Sequence, residues 1–246
     1  MQDGWTAGSG HPTLAVLPPD SSAMPRLPTP AAILLAAILP CLPAQAACDR
    51  VAADLDSMTS ADQALRKRIN HLEGKTPAQE KLMEHIRIVD RENTRRLKAI
   101  VAQCGWPTKA KYGEQAAGAA WLLAQHADHD LPFQRQALAL IEQAAADSGQ
   151  PPDQLFALLS DRVAVAEGRP QRYGTQLMAP AGKPCAYDFQ PMDDRAKVEE
   201  RRKAMRMPPL EDYRRILLQM QHCPIDVVTG RPNDDYHYAP PIGAGR

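Results

Sequence analysis

The sequence predicts an all-α protein, built from antiparallel helix hairpins packed as a bundle and stapled by two disulfides. Three observations carry that reading. Apolar residues recur at helical spacing, as at Val51, Leu55, Met58, Leu65, Ile69 and Leu72, which fall on one helix face. Helix starts are marked by caps: in Thr76-Pro77-Ala78-Gln79 the threonine caps, the proline sits in the first turn and the glutamine completes a capping box. Aromatic residues are only 5% of the chain while Ala, Leu, Glu, Gln and Arg abound, and straight side chains lose little rotamer freedom in a helix.

The first 46 residues read as an address. Residues 31–42 are an apolar run, preceded by Arg26 and followed by Pro43-Ala44-Gln45-Ala46. This is the pattern of a secretory signal, too short for a stable membrane anchor. Cleavage is expected after Ala46, with translation starting at Met24 and residues 1–23 forming a leader. A lipoprotein anchored through Cys48 is the competing reading, against which Gln45 stands where a lipobox has leucine. The expected organisation is therefore leader and signal over 1–46, one helical domain over 47–228 and an irregular tail over 229–246. The expected location is periplasmic or secreted.

Basic and acidic residues balance at 29 each, so no overall field draws the chain to nucleic acid or an anionic membrane. Removing Asp3, Asp20 and Arg26 with the leader leaves it near neutral. Cys48, Cys104, Cys185 and Cys223 remain, an even number that fits two disulfides in an oxidising compartment. None of them forms a C-x-x-C pair of the kind that holds zinc.

The first helix is expected over 49–72, ended by Gly74. The second opens at Thr76, carries Leu82, Ile86, Val89, Leu97 and Ile100, and stops at Gly105. A short connection makes the two antiparallel. Cys48 and Cys104 then share the open end, which favours their pairing. The same register brings Asp62 level with Asp90, with Gln63, Arg66 and Asn93 within a turn. Asn93 interrupts the apolar stripe, and polar groups in a seam need hydrogen bonds. Gly105-Trp106-Pro107 reads as a turn with an aromatic plug.

A third helix over 113–128 is rich in Ala and Gly, and its small side chains place it at the centre of the bundle. A fourth follows over 132–147 and a fifth after Asp153, bearing Leu155, Leu158, Leu159, Val163 and Val165. Residues 169–176 have turn and extended character. Two further helices, 193–206 and 209–222, put Cys185 and Cys223 at a second open end. The charges of the first of these read as a solvated face. No fixed-period repeat recurs.

Helices three and five should run parallel, which gathers Gln125, His126 and Asp128 with Asp161, Arg162 and Gln134. Gln171, Tyr173, Thr175 and Gln176 can fold back over the same end. Such a convergence of polar groups from separate segments is the pattern of a site. In the favoured reading His126 is a general acid or base oriented by Asp161 or Asp128, Arg162 holds an anionic or carbonyl oxygen, and Tyr173 joins this catalytic set. Asp62, Gln63, Arg66, Asp90, Asn93, Trp106, Gln125, Gln134, Gln171, Thr175 and Gln176 are candidates for binding substrate. Metal binding by His126, Asp128 and Asp130 is disfavoured, because residues two apart do not share a helix face. No cofactor is expected. Ser160 has no nucleophile elbow and no Gly-rich phosphate loop is present.

Asp62-Gln63-x-x-Arg66, Asp90-x-x-Asn93, Gly105-Trp106-Pro107, Gln125-His126-Ala127-Asp128, Asp161-Arg162 and Gln171-x-Tyr173-Gly174-Thr175-Gln176 occur in this order. Together they resemble a bacterial family classed as a domain of unknown function, number 6624, over about residues 60–213. The resemblance implies a mainly helical domain whose characteristic residues are polar, with no established activity. The function expected on all these grounds is His-centred acid–base chemistry, hydrolase-like, on a small polar or cell-envelope substrate. A non-catalytic ligand-binding module and a structural protein with a buried polar network stay open as alternatives.

Overall fold

The computed structural model describes residues 44–225 apart from 71, 73, 74, 181, 182 and 184. The apolar run 31–42 and the tail 229–246 lie outside the described residues. After a short turn of helix, α1 (Ala44–Cys48), come α2 (Val51–Arg66), α3 (Pro77–Cys104), α4 (Lys109–Gln125), α5 (Leu131–Asp147) and α6 (Gln154–Ala166). A small antiparallel pair, β1 (Leu177–Met178) with β2 (Asp188–Phe189), precedes α7 (Arg195–Ala204) and α8 (Leu210–Met220). No helix among the described residues is long and apolar enough to cross a membrane.

Caps set these boundaries as the sequence leads one to expect. The Thr76 hydroxyl accepts the Gln79 amide at 3.2 Å, and the Asp153 carboxylate accepts the amides of Leu155 and Phe156. Thr108 opens α4, but Gly113 breaks its regular geometry at φ 84°, so the first turn is set off from the rest.

Two helices end earlier than their apolar stripes suggest. The expected helix 49–72 closes at Arg66, because the amides of Arg68 and Ile69 tighten onto carbonyls three residues back. The Asn70 side chain then accepts the Leu72 amide, a local turn that competes with helix. The helix expected over 113–128 ends at Gln125, with His126 as its C-cap. Asp128 therefore stands in the turn before Asp130 caps α5 through the Phe133 amide.

The core lies where α2, α3, α4 and α5 meet, around Leu55, Met58, Leu97, Ala120, Leu123 and Phe133. Helix α4 touches α2, α3, α5 and α6, so the small-residue helix is central as expected. Trp121 donates its indole N–H to the Leu155 carbonyl at 2.7 Å, joining α4 to the start of α6.

Both expected disulfides are present, Cys48–Cys104 with Cα atoms 5.6 Å apart and Cys185–Cys223 at 5.5 Å. They span 56 and 38 residues of chain. Loops of that size constrain the unfolded state by roughly 4 kcal/mol each in the chain-entropy picture. Two such bonds belong to an oxidising compartment.

The charged helix α7 departs from the solvated-face expectation at one residue. Arg202 is fully buried, donating from Nε to the Pro208 carbonyl and from Nη1 to the carbonyls of Tyr173 and Gly174. Its guanidinium lies 4.8 Å from the Tyr213 ring centroid.

Candidate functional site

Three polar assemblies hold the residues singled out by the sequence. The first sits in the seam between α2 and α3 and takes in the end of α4. Asp62, on the inward face of α2, is fully buried. Its Oδ2 accepts from Gln63 at 2.7 Å, and its Oδ1 accepts from Arg66 Nη1 at 2.6 Å. The same Oδ1 lies 3.0 Å from His126 Nδ1. The Arg66 guanidinium continues across the seam, where Nη2 donates to both oxygens of Asp90 at 3.0 Å. Asp62 and Asp90 thus stand level, as the hairpin register requires. Asn93 lies buried in the same seam and donates to the Met58 carbonyl at 3.4 Å.

Burial pushes the Asp62 carboxyl up, but His126, Gln63 and Arg66 outweigh it and hold the pKa below its ordinary value. At Asp90 burial prevails over Arg66 and His126 and keeps that carboxyl above its ordinary value. A carboxylate facing Nδ1 keeps the proton of a neutral imidazole on that nitrogen and leaves the lone pair on Nε2. Among the described residues Nε2 has no hydrogen-bond partner, and the side chain retains 17% exposure. One ligand atom from each of Asp62, Asp90 and His126 also lies within 4.8 Å of the others. Gln63 lines an open depression of about 270 Å³ with Asp56, Thr59, Ser60, Ala64 and Lys67.

The second assembly closes the turn after α4. Arg162 Nη1 donates to both oxygens of Asp128 at 2.9 and 3.0 Å. Buried Gln134 donates to the carbonyls of Ala124 and Gln125 and to Asp128 Oδ1, satisfying acceptors that the helix end leaves free. Gln125 is buried with its Oε1 unpartnered among the described residues, and so is Arg162 Nε.

The third assembly is the 171–176 turn. Asp161, fully buried on α6, accepts the backbone amides of Arg172 at 2.7 Å, Tyr173 at 3.1 Å and Thr175 at 3.0 Å. Burial pushes its carboxyl above the ordinary value, against the pull of those amides. Gln171 grips the turn's other edge, donating to the carbonyls of Gln176 and Gln190 while its Oε1 accepts the Gln176 amide. The Gln176 side chain reaches the Leu158 carbonyl and Thr175 Oγ1. Tyr213 donates its hydroxyl to the Thr175 carbonyl. Gly174 has φ 63°, and a Cβ there would come within 2.5 Å of Leu210 Cδ2, so glycine is required.

The expected partners of His126 therefore need correction. Asp161 is committed to backbone amides and Asp128 to Arg162 and Gln134, so Asp62 is the carboxylate that orients the imidazole. The reason is packing: the His126 amide still bonds the Leu122 carbonyl as in a helix, and α4 lies against α2, so the ring meets Asp62. Trp106 packs, half-buried, against the core as the expected aromatic plug. Asp130 is held by Lys98 at 2.6 Å and caps α5 through the Phe133 amide. Sequence reasoning missed Arg202 and Tyr213. Arg202 had a signal, since it shares the face of buried Val198 one helical turn earlier.

A model of a family of unknown function, DUF6624, matches residues 49–223. The chain belongs to the DUF6624 family. No curated protein and no solved structure matches it. All three polar assemblies of this DUF6624 chain fall inside the matched span.

Proposed function

We propose that this DUF6624 protein is a hydrolase-like enzyme in which His126 moves the proton. It works outside the cytoplasm, as a domain of about residues 47–228 released by cleavage after Ala46, on a small polar or cell-envelope substrate. One observation carries the reading: the contact of 3.0 Å between His126 Nδ1 and a fully buried Asp62 carboxylate that Gln63 and Arg66 hold in place. That arrangement orients the ring and presents Nε2 as the base. Gln63, which bonds to Asp62, also lines a depression along α2 that suits a polar group. In this reading Asp128, Arg162, Asp161 and Tyr173 shape the ground around His126 rather than touch its ring.

A non-catalytic role is favoured by a different feature. Arg66 bonds to both carboxylates, so each has a partner without any ligand. The two readings separate by assay of the full chain against p-nitrophenyl acetate, p-nitrophenyl phosphate, p-nitrophenyl N-acetylglucosaminide and muropeptides. Product release by the wild type should fall by about 10²–10⁴-fold in His126→Gln. Equal rates in the two proteins would refute the catalytic role of His126. Binding of a muropeptide by both, with turnover by neither, would establish a binding module.

A further inference from the structure

We infer that Asp62, Asp90 and His126 form a binding site for one divalent cation of the Zn²⁺ or Mn²⁺ class, for which Arg66 is the competing resident cation. The three side chains come from α2, α3 and the C-cap of α4, and they are of two donor types. Their ligand atoms already lie within 4.8 Å of one another. Two donors bound to one ion at ordinary lengths stand about 3.0–3.4 Å apart when adjacent. Asp62 Oδ1 and His126 Nδ1, at 3.0 Å, have that spacing now. Asp90 needs a shift of about an ångström or two to join them.

Electrostatics supports the exchange. Two carboxylates and one guanidinium leave a net negative charge in a seam where Asp62 has no solvent exposure. A divalent ion in place of the guanidinium brings that balance to zero, in surroundings where charge interactions are strong. Arg66 is able to leave: it lies at the last turn of α2 on a long side chain and keeps 20% exposure. Two carboxylate oxygens with one imidazole nitrogen suit borderline ions over Ca²⁺ and Mg²⁺, and three protein ligands leave a position for water. The inference concerns the same side chains as the catalytic reading but does not rest on it, because an ion on Nδ1 replaces the Asp62 hydrogen bond.

The test is calorimetric titration of EDTA-treated full chain with ZnCl₂ or MnCl₂ alone. Arg66→Gln is expected to bind one ion per chain at least about tenfold more tightly than wild type. That gain should vanish when Asp90→Asn or His126→Gln is added. Adventitious binding at His85, His129 or His222 would not respond to Arg66. Equal binding by wild type and Arg66→Gln, or a gain that survives His126→Gln, overturns the inference. Should Arg66→Gln fail to fold, titrating the ¹⁵N-labelled wild type decides: movement of the His126 imidazole resonances with the first ion supports the site, and movement confined to other histidines refutes it. None of these readouts involves turnover, so a negative result leaves the catalytic reading standing.

Discussion

Replacing Asp161 by alanine is expected to destabilise the protein by about 3–5 kcal/mol. The carboxylate is the shared acceptor for the amides of Arg172, Tyr173 and Thr175, and it is fully buried. Removing it leaves three donors without their acceptor, the Thr175 amide buried and the other two partly so, each at up to about 1–3 kcal/mol before relaxation. For a chain of this size the melting temperature should fall by roughly 10 °C or more. Asparagine should recover only part of the loss, because its NH₂ would face amide donors. The 171–176 turn would loosen with it, and amide hydrogen exchange at Tyr173 and Thr175 should rise well beyond the change at α2. A melting shift of a degree or two would show that the turn is held from elsewhere, by Arg202 and Gln171.

Asp62→Ala is the second large expectation, at about 3–5 kcal/mol, since it leaves the Arg66 guanidinium half-paired in the seam and His126 without its orienting carboxylate. It should also change the acid limb of stability. The folded-state pKa of Asp62 is depressed from 3.8. Between the folded and unfolded values the unfolded chain binds more protons, so stability rises with pH there. The Asp62 contribution is complete above the unfolded value and is lost as pH falls through the folded one. Asp90, whose pKa is raised, acts with the opposite sign at somewhat higher pH: its contribution declines as pH rises through the folded value. Denaturant midpoints measured from about pH 2 to 6 should show the Asp62 limb in wild type and not in the variant. An unchanged acid limb would mean that Asp62 is not the carboxylate held ionised by this network.

The helical architecture was legible because its signals are local. Thr76 and Asp153 announce their caps, and the stripe Val51, Leu55, Met58 buries the face it marks. The hairpin ends dictated the Cys48–Cys104 pairing, and the same register put Asp62 opposite Asp90. What escaped depends on which helix packs on which. The His126 amide still bonds the Leu122 carbonyl as in a helix, but α4 lies against α2, a long-range pairing that no local signal marks, and the side chain meets Asp62 rather than α6. Strands of two residues give no alternation to read, so β1 and β2 left no mark in the pattern. Arg202 escaped because a run of charge conceals which of its members turns inward. Tyr213 is recognisable as a partner only once the turn carrying Thr175 is in place.

The Asp62–His126 pair is the claim on which the functional account rests, and the His126 tautomer tests it most directly. Long-range ¹H–¹⁵N correlation of the labelled full chain near neutral pH should show the imidazole proton on Nδ1 with Nε2 unprotonated in the neutral ring. That preference should weaken when Asp62 is replaced by asparagine. A neutral ring protonated on Nε2, or a tautomer balance indifferent to Asp62, would contradict the account.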